Sequence, residues 1–165
     1  MAAGGAETDS FARRRLVEER KLFRKNRKFG FFARPRKNTD GTADMMNWEC
    51  GIPGKAGTPW EGGIYKLVLT FHDSYPASPP ICKFTPPLFH PNVYPSGRVC
   101  LSVLDQEKGW NPLMSIQSIL ESVQELLTEP NLDDPAQSAA FELARDNPTE
   151  YNKRIAELAT KYKAP

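Results

Sequence analysis

One short segment of the 165-residue chain combines several side chains that could act in a single reaction. It reads HPNVYPSGRVC from His90 to Cys100, so an imidazole lies ten residues and a side-chain amide eight residues before a cysteine. A thiolate is a strong nucleophile and a good leaving group, which suits transfer of an acyl group through a thioester. A lone cysteine is more often a small buried apolar residue. The segment therefore makes Cys100 a candidate nucleophile.

The other cysteines and histidines do not follow the spacing of a metal site or of a known nucleotide loop. Cys50 and Cys82 fall in predicted strands, and we expect both in the core. The sequence has no C-x-x-C pair and no H-x-x-x-H pair, so we expect no metal. His90 could act as a base for a thiol or brace its loop through hydrogen bonds, and both interpretations stay open here. The stretch 54–63 is rich in glycine but lacks the order of a phosphate-binding loop.

Composition indicates a globular protein with one strongly cationic segment. Apolar residues make up 39% and charged residues 25%, and no run approaches the ~20 apolar residues of a membrane helix. Residues 11–28 hold nine Lys and Arg against two Glu, although the whole chain has a net charge of only +2. Such a block indicates an acidic partner. We expect no direct nucleic-acid binding, because the only aromatic residues here, Phe11 and Phe23, are expected to pack.

The cysteine content and the first residues of the sequence suggest a reducing compartment. Three cysteines at wide spacing do not predict a disulfide framework. Residues 1–10 lack the apolar stretch of a secretory signal. We expect residues 1–9 to be disordered and residues 10–165 to form a single domain.

The pattern of apolar residues predicts an α+β fold. Ser10 is a predicted N-cap for a helix over the cationic segment, and Asp134 and Asn147, each followed by proline, are predicted N-caps for two later helices. The spacing of residues 116–127 predicts a further helix. Alternating apolar residues predict four antiparallel strands in a meander, with the helices on one side, over residues 29–37, 46–52, 64–71 and 81–85.

Proline is dense ahead of the cysteine and predicts a long ordered loop. Nine of the fifteen prolines lie between residues 53 and 95. Because proline fixes φ and lacks an N–H donor, we expect no sheet and no long helix over residues 86–112. A loop of this length in a compact domain is usually functional.

Several of these motifs together resemble the ubiquitin-conjugating enzyme family over roughly residues 10–162. They are the His-Pro-Asn run at 90–92, the cysteine eight residues after the Asn, the Trp-Asn-Pro run at 110–112, and the Tyr-Pro…Pro-Pro run at 75–80. The stretches MNWEC at 46–50, GKAGTPWEGG at 54–63 and DQEKG at 105–109 resemble the SUMO-conjugating branch. The resemblance implies an enzyme that accepts SUMO as a thioester and passes it to a substrate lysine, making an isopeptide bond.

The resemblance also implies roles for individual residues of the active site. Cys100 would be the acceptor thiol, and the Asn92 amide would donate to the oxyanion, although it could also brace its own loop. Asp134 would orient the incoming lysine and transiently accept its proton, besides its predicted role as an N-cap. Desolvation of that lysine would come from Tyr94 and Phe141. His90 and Pro112 would brace the loop.

The resemblance also implies which residues select the acceptor sequence and which dock the partners. SUMO conjugators prefer an apolar residue, Lys, any residue and then an acid, and the residues matched to reading that acid are Lys83, Ser96, Arg98 and Lys108, with Phe141 nearby. The chain departs from the family pattern at Ile81, Arg98 and Phe141, and we predict that Arg98 replaces a cation lost at position 81. Docking of the activating enzyme and of a second SUMO is matched to Arg20, Lys21, Arg24, Lys25 and Arg27.

The resemblance further implies the partners of the protein. We expect SUMO, its activating enzyme, SUMO ligases and lysine-containing substrates, with no membrane partner. We expect a monomer in the nucleus and cytoplasm, and no cofactor, because ATP is used by the activating enzyme. Two alternatives are a conjugating enzyme for ubiquitin or another modifier, and a catalytically silent binding module of the same fold.

Overall fold

In a computed structural model, which describes residues 10–163, the chain begins with helix α1 at Phe11–Asn26. The predicted disorder of residues 1–9 lies outside the described residues. Ser10 caps the helix as predicted, because its Oγ accepts from the Arg13 N–H at 3.1 Å. The narrow apolar stripe of α1 is buried, including Leu16 and Phe23. Phe11 does not pack as expected and is 66% exposed.

Four antiparallel strands form one sheet in the order β1-β2-β3-β4, which confirms the predicted meander. The strands are β1 Phe32–Lys37, β2 Ala43–Pro53, β3 Ile64–Thr70 and β4 Ile81–Phe84. The first strand begins three residues later than predicted, because Gly30 has a φ of +86° and interrupts the extended chain. Cys50 and Cys82 are buried on the inner face of the sheet, as expected.

Three helices follow the loop that carries the cysteine. They are α2 Ile116–Thr128, α3 Ser138–Asp146 and α4 Pro148–Lys161. The apolar side of α2 is buried in the same core as the inner face of the sheet. Asn147 caps α4 as predicted, since its Oδ1 accepts from the Glu150 N–H at 3.2 Å. The predicted N-cap at Asp134 is wrong: α3 begins only at Ser138, with Gln137 before it.

A buried carboxylate joins α1 to the start of α2. Glu19 is 6% exposed, and its Oε1 accepts from the Ile116 N–H at 3.2 Å. Its Oε2 accepts from the Arg15 Nε–H at 3.0 Å. The first turn of α2 would otherwise leave this N–H without a partner, so Glu19 acts as a cap supplied by another helix.

Residues 86–112 contain one 3₁₀ turn, Ser102–Leu104, and otherwise only isolated bridges, as the prolines predicted. The cysteines among the described residues are free thiols. Within residues 10–163, every helix is too short or too polar to cross a bilayer. The same residues present no cluster of three His, Cys, Asp or Glu side chains that could hold a metal.

Candidate active site

His90 supports the cysteine loop from the core. The ring is fully buried, its Nδ1 accepts from the Asn92 N–H at 3.0 Å, and its Nε2 lies 2.9 Å from the Leu126 carbonyl oxygen. Nε2 therefore carries the proton and donates to that carbonyl. Burial lowers the pKa of His90 to about 4, so the ring is neutral at physiological pH. Both ring nitrogens are thus occupied by hydrogen bonds, so neither is free to act as a base, and loop bracing stays the predicted role of His90.

Asn92 ties the cysteine loop to the segment that precedes α3. Its Nδ2 donates to the carbonyl oxygens of Asn131 at 2.8 Å and Asp134 at 3.0 Å. Its Oδ1 accepts from the Asn131 N–H at 2.8 Å, and the residue is 1% exposed. Both amide hydrogens are thus engaged in hydrogen bonds that link the two segments. Donation to an oxyanion would require one of these bonds to be released.

Cys100 lies where these two segments meet. Its N–H donates to the Asn92 carbonyl at 2.8 Å, and its Sγ lies 3.5 Å from Asp134 Oδ2, to which the thiol donates. Burial and then the Asp134 carboxylate raise the pKa of the Cys100 thiol, while the Tyr94 hydroxyl and the Lys108 ammonium act in the opposite direction. The resting group is therefore a thiol rather than a thiolate.

A tight turn places Tyr94 beside the sulfur. The Tyr94 N–H donates to the Arg98 carbonyl at 2.8 Å, and the Gly97 N–H donates back to the Tyr94 carbonyl at 2.8 Å. Gly97 has a φ of +97°, and a Cβ there would lie 2.4 Å from the Phe84 carbonyl oxygen, so the turn requires glycine. Tyr94 is 42% exposed, and negative charge on Cys100 raises the pKa of its hydroxyl.

Cys100 opens into a groove of about 720 Å³. The groove is lined by residues from four parts of the chain: Pro79, Tyr94, Arg98, Val99, Cys100, Leu101, Ser102, Leu104, Asp105, Gln106, Lys108, Leu126, Asn131 and Asp134. The structure thus brings together five of the predicted site residues. Sequence reasoning missed Asp105 and Asn131. The DQEKG stretch indicated Asp105. No local pattern indicated Asn131, because it is its backbone N–H and carbonyl that bond to the Asn92 side chain.

Three of the five residues predicted to recognise the acceptor sequence lie outside the residues that line this groove. Lys83 is exposed on β4, and its backbone forms an isolated antiparallel β-bridge with the backbone of Arg98. Ser96 is exposed in the Tyr94 turn, and its Oγ accepts from the Arg98 N–H at 3.3 Å. Phe141 is half-buried on α3, so its position does not support the expected shielding of the acceptor lysine.

Pro112 and the predicted docking cations also lie away from the groove. Pro112 is exposed inside a turn closed by the Met114 N–H and the Asn111 carbonyl at 2.9 Å, where its fixed φ favours the turn. The docking cations lie on α1 and at its end: Arg20 half-buried, and Lys21, Arg24, Lys25 and Arg27 exposed. This surface carries no part of the cysteine site.

Comparison with known proteins identifies the same family that the sequence motifs resemble. The family model described as "Ubiquitin-conjugating enzyme" matches residues 15–159. The chain belongs to the ubiquitin-conjugating enzyme family. This result and the four-stranded sheet with its helices confirm the predicted fold class and family, while the roles of the individual site residues stay predictions.

Three curated relatives are similar to this family member over nearly their whole length. It is 55% identical to the SUMO-conjugating enzyme UBC9 of Caenorhabditis elegans, over 91% of this chain and 90% of the relative. It is 50% identical to the SUMO-conjugating enzyme SCE1 of Arabidopsis thaliana, over 93% and 96%. It is 48% identical to the Sumo-conjugating enzyme ubc9 of Dictyostelium discoideum, over 92% and 95%.

Proposed function

We propose that this protein is a SUMO-conjugating enzyme, which carries SUMO as a thioester on Cys100 and transfers it to lysine side chains. The observation that carries the proposal is the Cys100 thiol, half-buried and 3.5 Å from a carboxylate, at the wall of a groove of about 720 Å³. The support for SUMO as the modifier is the 48–55% identity to relatives named for that activity.

Loading begins with loss of the Cys100 proton. The Cys100 sulfur attacks the thioester carbon that joins SUMO to the activating enzyme, a bond to Cys100 forms, and the sulfur of the activating enzyme leaves as a thiolate that takes up a proton. The raised pKa of Cys100 makes loading faster as the pH rises, because more thiolate is present. Acylation also removes the S–H donor from Asp134.

Transfer then uses the carboxylate that acylation has released. Asp134 Oδ2 no longer accepts from the thiol, so it is free to accept from the ammonium of an incoming lysine and to orient it. A free lysine has a pKa of ~10.4 and must lose a proton before it attacks. The amine nitrogen bonds to the thioester carbon and loses its extra proton, the tetrahedral intermediate collapses with cleavage of the C–S bond, and Cys100 leaves as a thiolate that takes up a proton. Tyr94 lines the same groove as Cys100 and Asp134, and its ring shields the amine of the lysine from water.

The remaining partners are proposed at the same level. SUMO, its activating enzyme, SUMO ligases and lysine-containing substrates are the proposed partners, with α1 as the docking surface because its exposed cations complement an acidic partner. ATP is consumed by the activating enzyme, so we propose no cofactor for this chain. The cationic segment also supports residence in the nucleus as well as the cytoplasm.

A loading assay tests the proposal directly. The protein is mixed with ATP and either SUMO and the SUMO-activating enzyme, or ubiquitin and the ubiquitin-activating enzyme, and then separated on a non-reducing gel. We expect a band that is lost on reduction with SUMO only. The Cys100→Ser variant should give a reduction-resistant ester that accumulates, because an alkoxide is a poorer leaving group than a thiolate. A ubiquitin-only band would select a ubiquitin conjugator, and no band with either would select a binding module.

A further inference from the structure

A lysine of the protein itself lines the groove into which Cys100 opens, the cysteine groove. Of the described residues that line it, Lys108 is the only lysine, and its side chain is exposed. Within residues 10–163 its ammonium forms no ion pair with a carboxylate. Asp105 lines the same groove, but its Oδ1 accepts from the Glu107 N–H at 2.9 Å. Lys108 is therefore an internal amine beside the thiol that we propose carries SUMO.

The backbone around Lys108 folds back onto the residues that follow Cys100. The Lys108 N–H donates to the Asp105 carbonyl at 3.0 Å, and the Asp105 N–H donates to the Ser102 carbonyl at 3.0 Å. The Gly109 N–H donates to the same Ser102 carbonyl at 2.9 Å. A Cβ on Gly109 would lie 3.1 Å from that oxygen, so a glycine favours this close approach. Because Ser102 is two residues after the cysteine, these bonds hold the Lys108 backbone close to the Cys100 segment.

The charge of Lys108 also acts at the sulfur. Its ammonium lowers the pKa of Cys100, against the larger effects of burial and of the Asp134 carboxylate. A lysine has a flexible four-carbon stem, so its amine can change position within the groove. Arg98 lines the same groove, but a guanidinium stays protonated and is not a nucleophile. Of these two cations, Lys108 is therefore the one that can act as an acceptor amine.

We propose that Lys108 is a site of self-modification, to which the protein transfers SUMO from its own Cys100 when no substrate lysine occupies the groove. The inference rests on the proposed function, because it needs the SUMO thioester. The Lys108 ammonium gives one proton to solvent, and its nitrogen then bonds to the thioester carbon and loses a second proton. The C–S bond breaks, and Cys100 leaves as a thiolate that takes up a proton. The product is an isopeptide between the C-terminus of SUMO and Lys108.

This transfer is a reaction within one molecule. Two groups on the same short segment meet at an effective concentration in the millimolar range, so the rate does not depend on how concentrated the protein is. A substrate lysine that enters the groove competes with Lys108 for the thioester. SUMO joined to Lys108 then occludes the groove, so the reaction inactivates molecules that hold a thioester without a substrate.

A single-turnover assay tests the inference. Cys100 is loaded with SUMO, ATP is removed to stop further loading, and no substrate is added. We expect the reduction-sensitive band to convert into a reduction-resistant band of the same size, with a first-order rate constant that stays within about twofold over an about tenfold range of protein concentration. Mass spectrometry of a protease digest should locate the SUMO remnant on Lys108. A rate constant that rises in proportion to the protein concentration would overturn the inference.

Matched variants identify the acceptor. Lys108→Arg keeps the cation but removes the nucleophile, and should reduce the yield of resistant product per molecule of thioester by about tenfold or more. Lys153→Arg, exposed on α4 and outside the groove, should leave this yield unchanged. Equal yields in the two variants would overturn the assignment of Lys108.

The same gel separates the inference from the proposed function. A thioester that forms on the unaltered protein and decays only by hydrolysis would overturn the self-modification and leave the proposed function intact. No thioester on the unaltered protein would overturn both.

Discussion

The active site has two polar layers that differ sharply in exposure. The lower layer, His90 and Asn92, is 0% and 1% exposed, and each of its side-chain polar atoms has a protein partner. The upper layer, Cys100, Tyr94 and Asp134, faces the groove, and its groups interact mainly with one another. Buried polar groups are costly to leave unpaired, whereas exposed ones are free to react. Substitutions in the lower layer should therefore reduce the stability of the fold, and substitutions in the upper layer should mainly change the rates of loading and transfer.

The largest expected effect is the pH dependence that His90 gives to stability. Its pKa is about 4 in the folded protein, against ~6.5 for an ordinary histidine. Between these values the unfolded chain binds one more proton than the folded chain, so the free energy of unfolding falls as the pH drops. We expect a loss of about 3 kcal/mol over this window, measured by urea unfolding.

Two measurements isolate the contribution of His90. His90→Gln should reduce the pH slope of the unfolding free energy relative to the unaltered protein, and the exposed His72→Gln serves as the matched control. If His90→Gln does not fold, an NMR titration of the His90 ring in the unaltered protein gives the same answer. A midpoint near 6.5 for that ring would contradict the placement of His90 in the lower layer.

The next effect separates the two roles of Asn92. Asn92→Ala removes three hydrogen bonds and leaves an N–H and two carbonyl oxygens of the 131–134 segment without their partner. We expect the free energy of unfolding to fall by about 2 kcal/mol and SUMO transfer to slow by about 100-fold.

Asn131→Ala is the control for Asn92→Ala, because Asn131 contacts Asn92 only through its backbone. It should change stability by less than about 1 kcal/mol. A large loss of transfer in Asn92→Ala with unchanged stability would contradict the bracing role and select pure oxyanion donation.

A substitution in the upper layer should change rates in opposite directions. Asp134→Asn removes a negative charge beside the sulfur, so the pKa of Cys100 should fall and alkylation by iodoacetamide at pH 7 should speed up by about threefold. Lysine transfer should slow by about tenfold, because the ammonium loses its acceptor. The neighbouring Asp133→Asn is the control, with both rates nearly unchanged. Slower alkylation in Asp134→Asn would contradict the electrostatic account.

The smallest effect is expected at the edge of the upper layer. Arg98 lines the cysteine groove, and we predict that it contacts the acid of an acceptor sequence. Arg98→Ala should slow modification of a peptide with an acid two residues after the lysine by about threefold, and leave a neutral peptide unchanged. Lys83→Ala, outside the groove, is the matched control. Equal losses on both peptides would contradict this role for Arg98.

The sequence predicted what depends on local pattern and missed what depends on contacts between distant segments. Alternation and capping residues located the strands, α1 and α4, and a glycine with positive φ shifted only the start of β1. Asp134 followed by proline has the form of an N-cap, but the Asp134 carbonyl accepts from Asn92 and its carboxylate faces Cys100. Those partners lie more than thirty residues away, so no local signal could reveal them.

The burial of two of the three thiols has a practical consequence. Burial raises the pKa of Cys50 and Cys82, whose side chains are 0% and 2% exposed, whereas Cys100 opens into a groove. A maleimide dye added to the folded protein should attach at one position without prior removal of any cysteine. A single fluorophore attached at Cys100 would therefore report binding at the groove through a change in its emission wavelength or anisotropy.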